Sequence, residues 1–139
     1  MYEHVLVATD GSEHASNAAT HAIDVAAMYG ATLHALYVIE TRTAFDNAIL
    51  RPEEIRENLA QIGGETLDHL ETRARERGID TVLHTRDGVP AEQILEYVEH
   101  EDIDIVFMGE RGHSAFKTVL LGSTAEQVLY ETDVPVVLL

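Results

Sequence analysis

Gly109-Glu-Arg-Gly112-His-Ser-Ala-Phe-Lys-Thr-Val-Leu-Leu-Gly122-Ser123-Thr124 lies between an apolar run, Ile103 to Met108, and a short helical pattern, Ala125 to Thr132. Three glycines and a hydroxyl at a strand-to-helix passage are suited to an anion. Glycine lacks Cβ, so its backbone can take positive φ and come close to a ligand. Successive amides form an anion-binding nest, and a helix start adds roughly half a positive charge. The stretch reads as a phosphate cradle, with Met108 closing the strand that delivers it.

Working outward, Val5-Leu-Val-Ala8 reads as a strand buried on both faces, broken by Thr9-Asp10-Gly11-Ser12. Ser12 is placed to cap a helix whose small-residue face is Ala15, Ala18, Ala19, Ala22, Ile23 and Ala26, stopping at Gly30. Ala31 to Ile39 is a second strand. Glu40 to Arg51 lacks a period, and Pro52 then suits the first position of a long helix. Ile55, Leu59, Ile62, Thr66, Leu67, Leu70 and Ala74 mark its face, Glu53–Arg56 and Glu71–Arg75 are spaced to pair along it, and Gly63-Gly64 is expected to bend or weaken it. Thr81 to Thr85 is a third strand. A helix opened by Pro90 carries Ala91, Ile94, Leu95 and Val98 inward, Asp104 to Met108 is the fourth strand, and Pro135 to Leu139 the fifth. Strands and helices alternate throughout, so an α/β fold with a parallel sheet, helices on both faces and right-handed crossovers is predicted, as one domain over 1–139. Ligands of such sheets bind beyond the carboxyl ends of the strands. Both Thr9–Ser12 and Gly109–Thr124 fall on that rim.

Composition narrows the partners. The chain has 139 residues, 25 Asp plus Glu against 9 Lys plus Arg, a formal charge of −16, and no cysteine. Thiol chemistry and zinc–thiolate sites are excluded. The acidic balance argues against nucleic-acid and anionic-membrane partners, which need basic patches. The Met1-Tyr-Glu-His start has no basic region followed by a long apolar segment, and no run approaches the ~18 apolar residues of a membrane helix, so a cytoplasmic location is expected. The composition resembles that of halophilic proteins. Self-repulsion at −16 weakens a compact fold in dilute buffer and is largely screened where the Debye length falls to about 3 Å, in about 1 M salt.

The chain has no G-x-G-x-x-G after the first strand, no P-loop and no G-x-S-x-G elbow. It has G-x-x-G, nine residues, then G-S: Gly109, Gly112, Gly122, Ser123. With this spacing, with Val5-Leu-Val-Ala-Thr-Asp10-Gly-Ser12 at the start, and with Val134-Pro-Val-Val137 at the close, the chain resembles the universal stress protein family over essentially its whole length. In that family the glycine pattern marks the members that bind ATP. The resemblance implies an open five-stranded parallel sheet of order 3-2-1-4-5, Rossmann-like, with the ends of strands one and four side by side. It implies that Gly109, Gly112, Gly122, Ser123 and the Thr124 amide hold phosphates and ribose. Asp10 then meets the nucleoside, Val38 offers backbone groups to the adenine edge, and Ala8 and Thr9 line the same wall. Mg²⁺ or Mn²⁺ comes with the nucleotide, held mainly by phosphate oxygens. A two-fold dimer is implied too. If the last strand lies at the sheet edge, Val136 to Leu139 carries no charge or bulge to guard it, and pairing of two such strands removes that liability.

Several residues carry two readings. Ser123-x-x-Glu126 is also a capping box, and Asp10 also suits an Asx-turn. Arg111 and Lys117, the sole lysine, are phosphate contacts or solvated charges. His113 is a phosphate or ion contact or a bystander. His34 and His84 read as surface or strand residues without ligand-like partners. The 40–51 loop, with Ala44, Phe45, Ile49 and Leu50 as its apolar side, is a lid or a connector. No side chain is an evident general base, so at most slow ATP hydrolysis is expected. The competing functions are a non-nucleotide interaction module of the same fold and a phosphorylated receiver using Asp10 and Asp87. The receiver needs a lysine after the fifth strand, which this sequence lacks.

Overall fold

A computed structural model describes residues 1–40, 52–111 and 121–139. Gly112, His113, Lys117 and the 41–51 part of the loop expected as a lid or connector lie outside the described residues. The elements are β1 (His4–Thr9), α1 (Glu13–Tyr29), β2 (Thr32–Glu40), α2 (Pro52–Glu76), β3 (Thr81–Gly88), α3 (Pro90–His100), β4 (Ile105–Met108), α4 (Ser123–Glu131) and β5 (Val136–Leu138). The five strands form one parallel sheet in the order β3-β2-β1-β4-β5. Among the described residues no helix is long and apolar enough to cross a membrane.

Strand alternation divides the core in two. Val5 and Val7 of β1 face α1 and α2, together with Leu33, Ala35, Tyr37, Ile105 and Phe107. Leu6 and Ala8 point the other way, with Leu36, Val106 and Met108, towards α3 and α4. The alanine face of α1 is buried as its spacing requires, and Ser12 caps that helix by accepting from the Ala15 amide at 3.2 Å.

The face of α2 departs from the periodicity. The helix runs unbroken through Gly63-Gly64, and Ile62 is 48% exposed. Gly63 takes the inward position instead, because a Cβ there would fall 2.6 Å from the Tyr37 ring. Sequence spacing favours the larger apolar residue; the contact with Tyr37 requires the one with no side chain. Glu71–Arg75 pairs as expected at 2.9 Å, but Arg56 does not pair along the helix: both its Nε and Nη2 donate to Asp87 at the end of β3. Asp87 is therefore committed to bracing α2 against the sheet.

On α3, Tyr97 replaces Leu95 as a core residue and is fully buried. A buried tyrosine needs a partner for its hydroxyl, and His34 supplies it. His34 Nδ1 lies 2.7 Å from Tyr97 Oη, and His34 Nε2 lies 3.1 Å from His4 Nδ1. His34 is thus a strand residue, but a buried and partnered one. His84 and Arg86 flank the same ring, with the Arg86 guanidinium 5.1 Å from its centroid. Burial first, with the nearby Glu101 carboxylate, pushes the Tyr97 hydroxyl up to about 12, against the pull of Arg86. Burial, then the charges of His4 and His84, hold the His34 imidazole below its ordinary value, with Glu101 opposing. An unfolded chain takes up a proton near pH 6.5 that the folded chain refuses, so stability falls as pH drops below about 6.5. Asp104 acts in a separate, more acidic window. Desolvation lifts its pKa, but the His4 and Glu3 amides that donate to its carboxylate outweigh that and leave it lowered, so its contribution is present above its ordinary 3.8 and lost below. Urea melts at pH 7.5 and 5.5 are expected to show this slope, and His34→Gln is expected to flatten it. An unchanged slope in that variant would remove His34 as its source.

Candidate nucleotide-binding site

The crevice lies where the strand order reverses, between the carboxyl ends of β1 and β4 with β2 alongside. Chain direction changes there from one flanking helix layer to the other, which leaves a gap between the outgoing loops. A cavity of about 480 Å³ fills it. Ala8, Thr9, Asp10, Val38, Met108, Gly109, Arg111, Gly122, Ser123 and Thr124 all line it, so every described residue expected around a nucleotide lies on one cavity.

The turn after β1 is held by its own side chains. Asp10 Oδ1 accepts from the Ser12 amide at 2.9 Å, and Thr9 Oγ1 accepts from Gly11 N at 3.2 Å. The Asx-turn reading of Asp10 is therefore correct, and the turn fixes the carboxylate at the cavity wall. Burial, with the Asp10 charge second, raises the pKa of the Tyr37 hydroxyl on the same wall.

The residues just after β4 meet the start of α4. Gly122 N donates to the Glu110 backbone oxygen at 2.7 Å, and Glu126 N donates to Gly122 O at 2.9 Å. Gly122 is consequently the N-cap, and Ser123 is the first residue of α4. This corrects the capping-box reading: the Glu126 amide bonds the Gly122 carbonyl rather than a Ser123 hydroxyl. It also changes the role of Gly122, whose amide closes the loop instead of facing a ligand. The amides of Ser123, Thr124 and Ala125 have no intrahelical acceptor by helix geometry, and all three residues line the cavity.

Neither Gly109 nor Gly122 adopts positive φ; Gly122 sits at −62°. Both are needed for close approach. A Cβ at 109 would lie 2.8 Å from His14 Cβ, and one at 122 would lie 3.2 Å from the Glu110 backbone oxygen. Arg111 lines the cavity with Asp10, Glu40 and Glu110, and its Nε is 4.0 Å from Glu110 Oε1. Among the described residues no group of three or more His, Asp or Glu is placed to hold a metal ion. Sequence reasoning missed Tyr37, Glu40, Leu59, Pro90 and Ile94, which also line the cavity. Glu40, at the end of β2, was legible as a rim residue; Leu59 and Ile94 arrive from helices whose docking the sequence does not display.

The fold and crevice define an α/β protein of the open parallel-sheet class, with a helix N-terminus and two close-packed glycines, Gly109 and Gly122, at the switch point. The universal stress protein family matches residues 1–139, and the chain belongs to that family. It is 34% identical over 137 residues to universal stress protein MJ0531 of Methanocaldococcus jannaschii, covering 98% of this chain and 81% of that one. The solved structure of protein MJ0577, from the same organism, superposes with a TM-score of 0.91 at 27% identity, covering 100% of this chain and 96% of that one. A universal stress protein from Archaeoglobus fulgidus, solved in complex with dAMP, shares the fold with a TM-score of 0.72 at 19% identity, covering 99% and 97%.

Proposed function

We propose that this chain is a cytoplasmic, single-domain stress-response protein that binds ATP in the crevice between β1 and β4. It acts there as a nucleotide-dependent regulator, with at most slow hydrolysis. The observation that carries this reading is the convergence of three separate segments, 8–10, 108–111 and 122–124, on one cavity. The Ser123 and Thr124 amides serve the phosphates, Asp10 accepts from the nucleoside, and Val38 meets the adenine edge. That the Archaeoglobus fulgidus relative was solved with dAMP agrees with this use of the fold. Asp10, Glu40 and Glu110 outnumber Arg111 around the cavity, so ATP is best received as its Mg²⁺ or Mn²⁺ complex. That ion is then held mainly by phosphate oxygens and water, as Mg²⁺ keeps several of its waters. Calorimetric titration with Mg-ATP in molar salt is expected to give saturable heat with one site per chain; the lack of it overturns the reading.

The charge of −16 supports a halophilic setting, and the exposed edge supports a dimer. β5 is an edge strand, bonded to β4 and carrying only Val136, Val137 and Leu138. Pairing with a second copy through Val136 to Leu139 satisfies its outer amides. One salt series tests both proposals. The melting temperature is expected to rise steadily to about 1 M salt as screening becomes effective, and sedimentation at the high-salt end is expected to show a dimer. A salt-independent melt rejects the first proposal, and a monomer at micromolar concentration rejects the second.

A further inference from the structure

His14 stands in the first turn of α1, where the sequence offers no reason to notice it, yet it touches two residues of the cavity wall and the end of the chain segment after β5. Its Cβ rests against Gly109, filling the place a side chain at 109 would need. On one side of the ring, Nδ1 is 3.3 Å from the Leu139 backbone oxygen. On the other, Nε2 is 3.5 Å from Arg111 Nη2. A guanidinium only donates, and a backbone oxygen only accepts. A single neutral tautomer satisfies both contacts, with the proton on Nδ1 donated to Leu139 and the lone pair on Nε2 turned to Arg111. The Leu139 oxygen also accepts from the Glu110 amide at 2.8 Å, and the Leu139 amide donates to Met108 O at 3.1 Å. The ring therefore joins the arginine of the cavity wall to the segment that continues β5.

We propose that His14 is a positioning residue for phosphate recognition: it sets the Arg111 guanidinium at the cavity and ties it to the end of the edge strand. The proposal rests on the nucleotide reading above. It accounts for why α1 presents an imidazole, rather than a small residue, where its first turn meets the loop after β4. An imidazole both donates and accepts, and it is rigid between its two nitrogens, so the position of Leu139 constrains the position of Arg111. A shift of the edge strand is then transmitted to the arginine.

The test is a double-mutant cycle read as the dissociation constant of Mg-ATP by calorimetry in molar salt. His14→Phe keeps the packing on Gly109 and removes both polar contacts. Loss of one oriented charge-assisted contact is expected to weaken ATP binding about tenfold. Arg111→Ala is expected to do the same. In the double variant the loss is expected to stay near tenfold, because His14 acts through Arg111. His14→Gln, which can still accept from Arg111, is expected to retain affinity within about threefold; that variant also guards against misfolding of the phenylalanine protein. Losses that multiply in the double variant, or an unchanged constant in His14→Phe, overturn the proposal and leave the nucleotide reading standing. A wild-type chain that gives no saturable heat removes the nucleotide reading and, with it, this one.

Discussion

Replacing Gly122 with valine is expected to weaken ATP binding at least about a hundredfold, or about 2.7 kcal/mol. The cause is geometric. A Cβ at this position would lie 3.2 Å from the Glu110 backbone oxygen and 3.4 Å from Arg111 Cα, and valine adds two methyl groups beyond it. The loop cannot keep the 2.7 Å bond from Gly122 N to Glu110 O and also admit those atoms. As the loop opens, the α4 N-terminus and Arg111 separate, and the cradle loses its two sides together. The fold itself should survive, since the disturbance sits on the rim. An overpacking cost of about 1–3 kcal/mol corresponds to a fall in melting temperature of less than about 10 °C. Calorimetry in molar salt with a parallel melt separates the two effects. A valine variant that binds ATP like wild type would show that the crevice is not the nucleotide site.

The neighbouring glycines of α2 are expected to respond in opposite directions. Gly64→Ala meets nothing within 4 Å and gains helix propensity, so it should stabilise the protein by about 0.5–1 kcal/mol. Gly63→Ala has the same propensity gain, but its methyl would lie 2.6 Å from the Tyr37 ring. Tyr37 is held in the core between β2 and α2, 5% exposed, so its ring can shift only by disturbing that packing. Overpacking is expected to cost about 1–3 kcal/mol, enough to reverse the sign. The two single-methyl variants should therefore melt on either side of wild type. If both are stabilised, the close approach of α2 to the sheet is wrong. Tyr37 also lines the cavity, so Gly63→Ala is expected to lower ATP affinity modestly as well, through a displaced wall.

The contrast between these glycines shows how far the residues alone can be read. Alternating apolar runs and caps placed every element in order, because the 3.6 and 2.0 periods are properties of the backbone and need no partner to be seen. The positions of Asp10 and of the glycine–serine pattern at strand ends followed from the same reading. The strand order came from a family likeness, since periodicity says nothing about which strands are neighbours. Capping was less legible. Ser123 and Glu126 have the spacing of a capping box, but the loop closed one residue earlier, on Gly122 and Glu110, a contact across twelve positions that no local pattern reports.

Side-chain chemistry was hidden wherever its cause was a distant partner. His34 reads as an ordinary strand histidine; its bond to Tyr97, which arrives on helix α3, shows only in the tertiary structure. Arg56 left its helical neighbour for Asp87, and His14 acquired a role only when Leu139 and Arg111 closed around it. Local sequence thus determined the α/β alternation, the rim position of the candidate site, the acidic character and the glycine spacing, because each is written in short-range pattern or composition. Tertiary structure alone decided which glycines are needed for contact rather than for φ, which amide closes on Glu110, and which polar side chains are already engaged. Those depend on atoms brought together from far along the chain, and packing, not propensity, sets their distances.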